Sequence, residues 1–337
     1  MLETELFNIK SNEDFKRIAL EVFRFQYENV PVYRQFCNLL NTNIFEVKNL
    51  ENIPFLPIQF FKSHRVIAEN LPALLRRVNR QAGLSEELTF ASSGTTGSSA
   101  SKHYVAKLKL YEKSFLKSFQ NQYGNPSNYT ILALLPSYLE RKGSSLIYMV
   151  EALIEKSNNS NSGFYLYEMD ALIEKLEFVE GSGQKTILIG VSYALLDLIE
   201  KKRFQLKSTI VMETGGMKGR RKEMIKEELH EILKNGFGVN KIHSEYGMTE
   251  LLSQAYSTGD GIFTCPQWMK ILTRDTEDAQ TYTFGKTGGI NVIDLANLYS
   301  CSFIATQDLG KTFPDGTFEV LGRFDFSDIR GCNLMVL

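Results

Sequence analysis

The stretch "FASSGTTGSSASKH", Phe90 to His103, carries seven hydroxyl side chains and two glycines ahead of Lys102 and His103. Gly94 and Gly97 open backbone conformations closed to other residues. Ser92, Ser93, Thr95 and Thr96 add hydroxyl donors to the main-chain N–H groups. A loop of this kind can wrap a polyphosphate with little positive charge. It lacks the Gly-Lys-Ser/Thr ending of a Walker loop. Taken alone, the composition fits a phosphate loop and a flexible polar linker equally well.

Four further motifs carry groups with matching chemistry. In "SEYGMTE", Ser244 to Glu250, Tyr246 beside a glycine can stack on a flat ring, Thr249 can donate to a phosphate and Glu250 can hold Mg²⁺. In "METGGMKG", Gly215 and Gly216 follow a strand pattern and precede a helix pattern, so a ligand can approach the backbone closely there. In "TQDLG", Asp308 can bind a ribose diol, and in "GRFDFSDIRG", Arg323 can pair with ribose or phosphate. Each motif, read singly, also fits an ordinary turn, a satisfied acid or a surface ion pair.

The elements that must position these groups follow from periodicity. "SNEDFKRIALEVFRFQYENVP" opens on Ser11 as N-cap with Asp14 three residues on, and Phe15, Ile18, Ala19, Val22 and Phe23 recur at helical spacing until Pro31. "NIPFLPIQFF" reads as an extended, packed segment. From about residue 104, helices ("LKLYEKSFLKSF", "SSLIYMVEALIEK", "DALIEKLEFVE", "SYALLDLIEKK", "RKEMIKEELHEILKN") alternate with short apolar strands ("YTILALL", "KTILIG", "STIVMET", "NKIHSEYG"), broken by a polar loop at 157–163. Such alternation predicts a parallel sheet with helices on its faces, with ligands beyond the carboxyl ends of the strands. After Glu250 the pattern changes to strands and turns, "TFGKTGGINVIDL", "CSFIATQDLG" and "GTFEVLGRFD". The expected organisation is an α/β nucleotide- and acyl-binding region over 1–250 and a smaller β-rich subdomain with a C-terminal tail over 251–337, together one adenylation domain.

Composition narrows the class. Lys plus Arg number 38 against 39 Asp plus Glu, so no electrostatic footprint for nucleic acid or anionic membrane is expected. No apolar run is long enough to span a bilayer, and "MLETELFNIK" lacks the layout of a signal peptide. Cys37, Cys265, Cys301 and Cys332 are scattered without a CxxC pair, and the four histidines lack metal-ligand spacing. The expectation is a cytoplasmic protein with free thiols and no transition-metal site.

The five motifs, taken in order, resemble those of the adenylate-forming superfamily of acyl-CoA synthetases, luciferases and peptide-synthetase adenylation domains. "SSGTTG" and "YGMTE" are near-exact matches to its signatures. Within it, "YENVPVYRQF" and "NIPFLPIQFFK" look like the front of the phenylacetate-CoA ligase branch. "LLPSYLERKGSSLIYMV" and "RGCNLM" look closer to the acyl-protein synthetases of bacterial bioluminescence, the long-chain fatty acid–luciferin-component ligases. The resemblance runs from about residue 15 to the end.

The resemblance implies ATP and Mg²⁺ as cofactors. It implies phosphate contacts from Ser92, Ser93, Gly94, Thr95, Thr96 and Gly97, Tyr246 stacked on adenine, and Gly215 and Gly216 lining the adenine or acyl pocket. Thr249 would contact the α-phosphate, Glu250 would bind Mg²⁺, and Asp308 and Arg323 would hold the ribose. A carboxylic acid, expected to be fatty, would be activated as acyl-AMP and passed to a protein thiol, with an acyl-accepting protein as a further partner. The family loop usually continues to Pro-Lys-Gly; here "SSAS" intervenes before Lys102 and His103. Full-length members carry a small C-terminal domain with an adenylation lysine, expected to be absent from a chain ending at Leu337. The bioluminescence enzymes hold their acyl-accepting cysteine near the C-terminus, the position of Cys332. Arg330 would favour a Cys332 thiolate, while a half-buried structural cysteine is the other reading. The alternatives are a phenylacetate-type acyl-CoA ligase and an inactive nucleotide-binding scaffold of an acyl-transfer complex. Thr249, Glu250, Asp308 and Arg323 speak against the scaffold.

Overall fold

The computed structural model describes residues 2–69, 86–92, 100–136, 143–217, 220–222, 224–278 and 281–324. Among them the chain forms two compact units that interleave along the sequence. The first draws on residues 2–114, 249–253 and 265–324, the second on 115–248 and 254–264.

The first unit begins with helix Asn12–Asn29, where the Ser11 side chain accepts from Asp14 N as the sequence predicts. Its stripe Phe15, Ile18, Ala19, Val22, Phe23 is buried. Pro31 does more than end this helix: it occupies the first turn of a new one, Pro31–Leu39, because its missing N–H costs nothing there. "NIPFLPIQFF" supplies a two-residue strand, Leu56–Pro57, that pairs parallel with strand Phe303–Thr312, and then a helical turn, Phe60–Ser63. Strands Met269–Arg274, Gly288–Asp294, Phe303–Thr312 and Phe318–Arg323 follow as an antiparallel run, with Tyr282–Thr283 on the free side of Met269–Arg274. The aromatic rings of Phe23, Tyr33 and Phe55 close on Phe303 at centroid distances of 6.1–6.2 Å. That cluster joins the N-terminal helices to the C-terminal strands, which chain distance alone hides.

The second unit is the alternating α/β region. Strands Gly163–Tyr165, Thr130–Leu134, Thr186–Val191, Thr209–Thr214 and His243–Tyr246 are parallel neighbours in that order. Ala255–Ser257 and Ile262–Thr264 extend the sheet antiparallel. Every residue of Thr130–Leu134 and Thr186–Val191 is buried, as a sheet covered on both faces requires. Helices Ser145–Ser157, Met169–Gly181, Ser192–Lys201 and Lys226–Phe237 make the crossovers. The Leu108–Tyr123 helix runs from the first unit into the second. The last crossover starts at Lys226, five residues later than the pattern suggests. Ile225 is extended, and the Arg221 guanidinium is drawn instead to Asp197 and Glu200 on Ser192–Lys201. Among the described residues, no helix is long and apolar enough to cross a membrane.

Candidate nucleotide-binding site

In the first unit, strand Leu88–Ala91 pairs with Lys102–Val105, setting Phe90 opposite His103 and Ala91 opposite Lys102. Just beyond, Ser92 N donates to Ser101 O at 2.9 Å, and Ser101 N donates to Ser92 Oγ at 2.9 Å. The two ends of the Ser/Thr/Gly run are thereby tied together. Ser93, Gly94, Thr95, Thr96 and Gly97 themselves lie outside the described residues, as do Arg330 and Cys332.

Strand alternation then separates neighbours. Lys102 is exposed, whereas Ser101 and His103 turn inward and are buried. The buried Ser101 side chain favours the charged form of the Glu250 carboxylate. His103 lies against the backbone of Thr249, its Nδ1 3.0 Å from Thr249 O, with Nε2 2.8 Å from Ser300 Oγ. Burial pushes the His103 pKa down to about 4, so the ring is neutral near pH 7. A carbonyl only accepts, so Nδ1 carries the proton and Nε2 accepts from Ser300.

Glu250 is 5% exposed. Burial raises its pKa; the Ser101 side chain and the Arg323 charge pull it back, and Asp308 adds to the rise. These groups therefore share one electrostatic neighbourhood. Asp308 and Arg323 are register partners across two strands, with Arg323 Nε 2.9 Å from Asp308 Oδ1. Among the described residues no cluster of three or more His, Cys, Asp or Glu forms a metal cage. One buried carboxylate at Glu250 suits Mg²⁺, which takes most of its shell from phosphate oxygens and water.

The second unit holds the other motif residues. Gly215 follows Thr214 with φ +68°, a left-handed conformation that favours glycine. Gly216 is under no such constraint, and a Cβ there would meet open space. Tyr246 is buried at the end of its strand, its ring edge-on to Phe263 at 6.0 Å. Met149, Val150 and Leu153 border an apolar cavity of about 10 Å³ with Ile131, Ile187 and Met212.

Three ionisable residues, the buried Glu213 and Glu245 and the half-buried Arg274, escaped the sequence reading. Glu213 accepts from Lys226 Nζ at 2.5 Å and lies 3.5 Å from His230 Nε2. Burial alone would raise its pKa, but the Lys226 charge and these hydrogen bonds bring it to about 2. Glu245 is buried, with Thr214 Oγ1 donating at 2.5 Å. Burial, and to a lesser extent the Glu213 charge, lift it to about 7 against that hydrogen bond and the Lys226 charge. Arg274, in the first unit, donates to Ile290 O and Asn291 Oδ1 at 2.8 and 2.6 Å and to Thr306 O at 2.5 Å. A charged residue at the end of the "MKILTR" strand pattern, facing the paired glycines of "TGGINV", was the available signal for Arg274.

No family model and no curated protein matches the chain. Solved structures do. An open conformation of 2-hydroxyisobutyryl-CoA ligase, in complex with 2-HIB-AMP and CoA, superposes with a TM-score of 0.68 at 12% identity, over 94% of this chain and 72% of that one. ATP-bound MatB from Rhodopseudomonas palustris gives 0.51 at 16% identity, over 71% of this chain and 48% of its own. The chain thus has the α/β fold of these solved structures, as the ordered motifs implied.

Proposed function

We propose that the protein activates a carboxylic acid, expected to be fatty, with ATP as an acyl adenylate and passes the acyl group to a protein thiol. The observation that carries this is the hydrogen bond tying Ser92 to Ser101, with the Ser101, Asp308 and Arg323 side chains all acting on the charge of Glu250. These groups bring the base of the Ser/Thr/Gly run, the Thr249–Glu250 end of "YGMTE" and the proposed ribose pair into one unit. The fold shared with ligases described in complex with 2-HIB-AMP or ATP supports it.

In this reading Ser92 to Gly97 and Thr249 hold the phosphates, while Asp308 and Arg323 hold the ribose. Tyr246 stacks on adenine, and Gly215 and Gly216 line the adenine or acyl pocket. Lys102 is an exposed cation beside the loop. Glu250 would hold Mg²⁺, which when bound supplies positive charge to the phosphate oxygens. The acid's carboxylate oxygen attacks the α-phosphorus, the bond to the β-phosphate oxygen breaks and pyrophosphate leaves. A thiolate then attacks the acyl carbonyl and AMP leaves. The protein contributes alignment and charge neutralisation. Cys332 is the proposed acyl carrier.

The second reading is an acyl-CoA ligase, favoured by the CoA in the 2-hydroxyisobutyryl-CoA ligase complex. ATP–pyrophosphate exchange over a panel of fatty and aryl acids tests acid activation: absence of exchange with every acid overturns it. Covalent labelling by radioactive acid that is lost in Cys332→Ser supports the protein-thiol route. Thioester formed only with added coenzyme A supports the ligase.

A further inference from the structure

The segment Thr249–Ser253 carries two of the proposed nucleotide contacts yet belongs to no helix or strand. Its buried main-chain groups must find partners elsewhere, since an unpaired buried amide or carbonyl is costly. They find them in three buried side chains remote in sequence. His103 Nδ1 donates to Thr249 O at 3.0 Å. Asn297 Nδ2 donates to Glu250 O at 2.8 Å, and Asn297 Oδ1 accepts from Leu252 N at 3.0 Å. Asp294 Oδ2 accepts from Leu252 N and Ser253 N, both at 2.9 Å, and its Oδ1 accepts from Ser253 Oγ at 2.5 Å.

The three anchors are themselves fixed. Asp294 caps the turn Leu295–Asn297 by accepting from Ala296 N at 3.0 Å. Asn297 also donates to Cys301 O at 2.9 Å, and its own carbonyl accepts from the buried Gln26 amide at 3.0 Å. His103 is held by Ser300, three residues beyond Asn297. All three side chains are fully buried, so water cannot substitute for them.

We infer that His103, Asp294 and Asn297 are positioning residues for the proposed reaction: a clamp that sets where Thr249 and Glu250 stand relative to the tied pair Ser92 and Ser101. This rests on the function proposed above. The geometry gives the clamp that task because His103 lies in the strand Lys102–Val105, paired with Leu88–Ala91, and its Nδ1 holds the Thr249 backbone. The same hairpin whose base is pinned by Ser92 and Ser101 therefore holds the Thr249–Glu250 end of "YGMTE". A clamp used only to satisfy backbone groups would matter for stability and not for nucleotide affinity.

The test uses His103→Leu, which removes the donor to Thr249 O; Asn297→Ala, which removes the donor to Glu250 O; and His103→Asn, whose amide can stand in for Nδ1. Hydrogen exchange of the 249–253 amides is read first. At least tenfold faster exchange in the first two variants, with Thr186–Val191 unchanged, supports the clamp; unchanged exchange overturns it. The KM for Mg-ATP in acid-dependent pyrophosphate exchange is read next, because KM does not depend on the fraction of folded enzyme. A rise of about tenfold, restored within about twofold by His103→Asn, supports positioning. Loosened amides with an unchanged KM overturn the positioning role and leave the proposed function standing. Should the wild-type protein exchange with no acid, acid activation falls, and the clamp is judged by the calorimetric Kd for Mg-ATP. A tenfold weaker Kd in His103→Leu supports it, and an unchanged Kd or no binding by wild type overturns it.

Discussion

Asp308 and Arg323 face each other across an antiparallel strand pair, with Arg323 Nε 2.9 Å from Asp308 Oδ1. The pairing is unequal: the Arg323 side chain is 78% exposed and the Asp308 side chain 8%. An ion pair open to solvent on one side contributes roughly 0–1 kcal/mol. Arg323→Ala is therefore expected to leave the melting temperature nearly unchanged. If the pair holds the ribose, the same variant raises the KM for Mg-ATP about tenfold in pyrophosphate exchange. A melting shift without a KM change would assign the pair to the strands alone.

Glu250 separates stability from function in the opposite sense. Its pKa is raised by burial, so the charged form is disfavoured in the folded chain. Glu250→Gln should hold or raise the melting temperature at pH 8, because it removes a poorly solvated charge. It should also lower kcat/KM for exchange on the order of a hundredfold by removing the proposed Mg²⁺ ligand. Thermal melting and exchange kinetics on one preparation check both halves.

The buried acids give the protein a pH profile. Glu245 rises to about 7 and Asp294 to about 6, each mainly through burial. The folded chain then binds more protons than the unfolded one between each unfolded value and each folded value. Stability should fall as pH climbs from about 4 through 7 and level off above. Glu213, held near 2, acts the other way: its contribution is present above its unfolded value and is lost as pH falls towards 2. Denaturant titrations across pH 3–8 should show a maximum at mildly acidic pH. Glu245→Gln should flatten the decline above pH 5, by roughly 3 kcal/mol at most at about 1.4 kcal/mol per unit.

Gly289 is a fourth test. A Cβ there would stand 2.6 Å from Arg274 Cζ, and at Gly288 it would strike the Arg274 carbonyl. Arg274 is bound to three acceptors and has no room to retreat, so Gly289→Ala should cost about 1–3 kcal/mol. Arg274→Met should be worse than loss of one hydrogen bond, because Ile290 O and Thr306 O sit on either side of it. Chemical denaturation of both variants measures the effect.

Much of the architecture was legible because local rules governed it. Ser11 and its apolar stripe set the first long helix, and the runs "TILAL", "TILIGV" and "TIVMET" became buried parallel strands as their apolar continuity demanded. Errors fell where backbone partners were not local. Gly163 closes the predicted polar loop 157–163 yet opens the strand Gly163–Tyr165, because Thr130–Leu134 offers that strand an edge. Lys226–Phe237 starts late because Arg221 has partners on another helix.

The order of the motifs in the sequence is what singled out Thr249, Glu250, Asp308 and Arg323 as the residues proposed to meet a nucleotide. Tertiary structure alone decided which silent residues hold Thr249 and Glu250. His103, Asp294 and Asn297 look like ordinary turn or strand polars in the chain. They acquire meaning only when folding removes water from the Thr249–Ser253 backbone, far away in sequence, and sets these side chains against it.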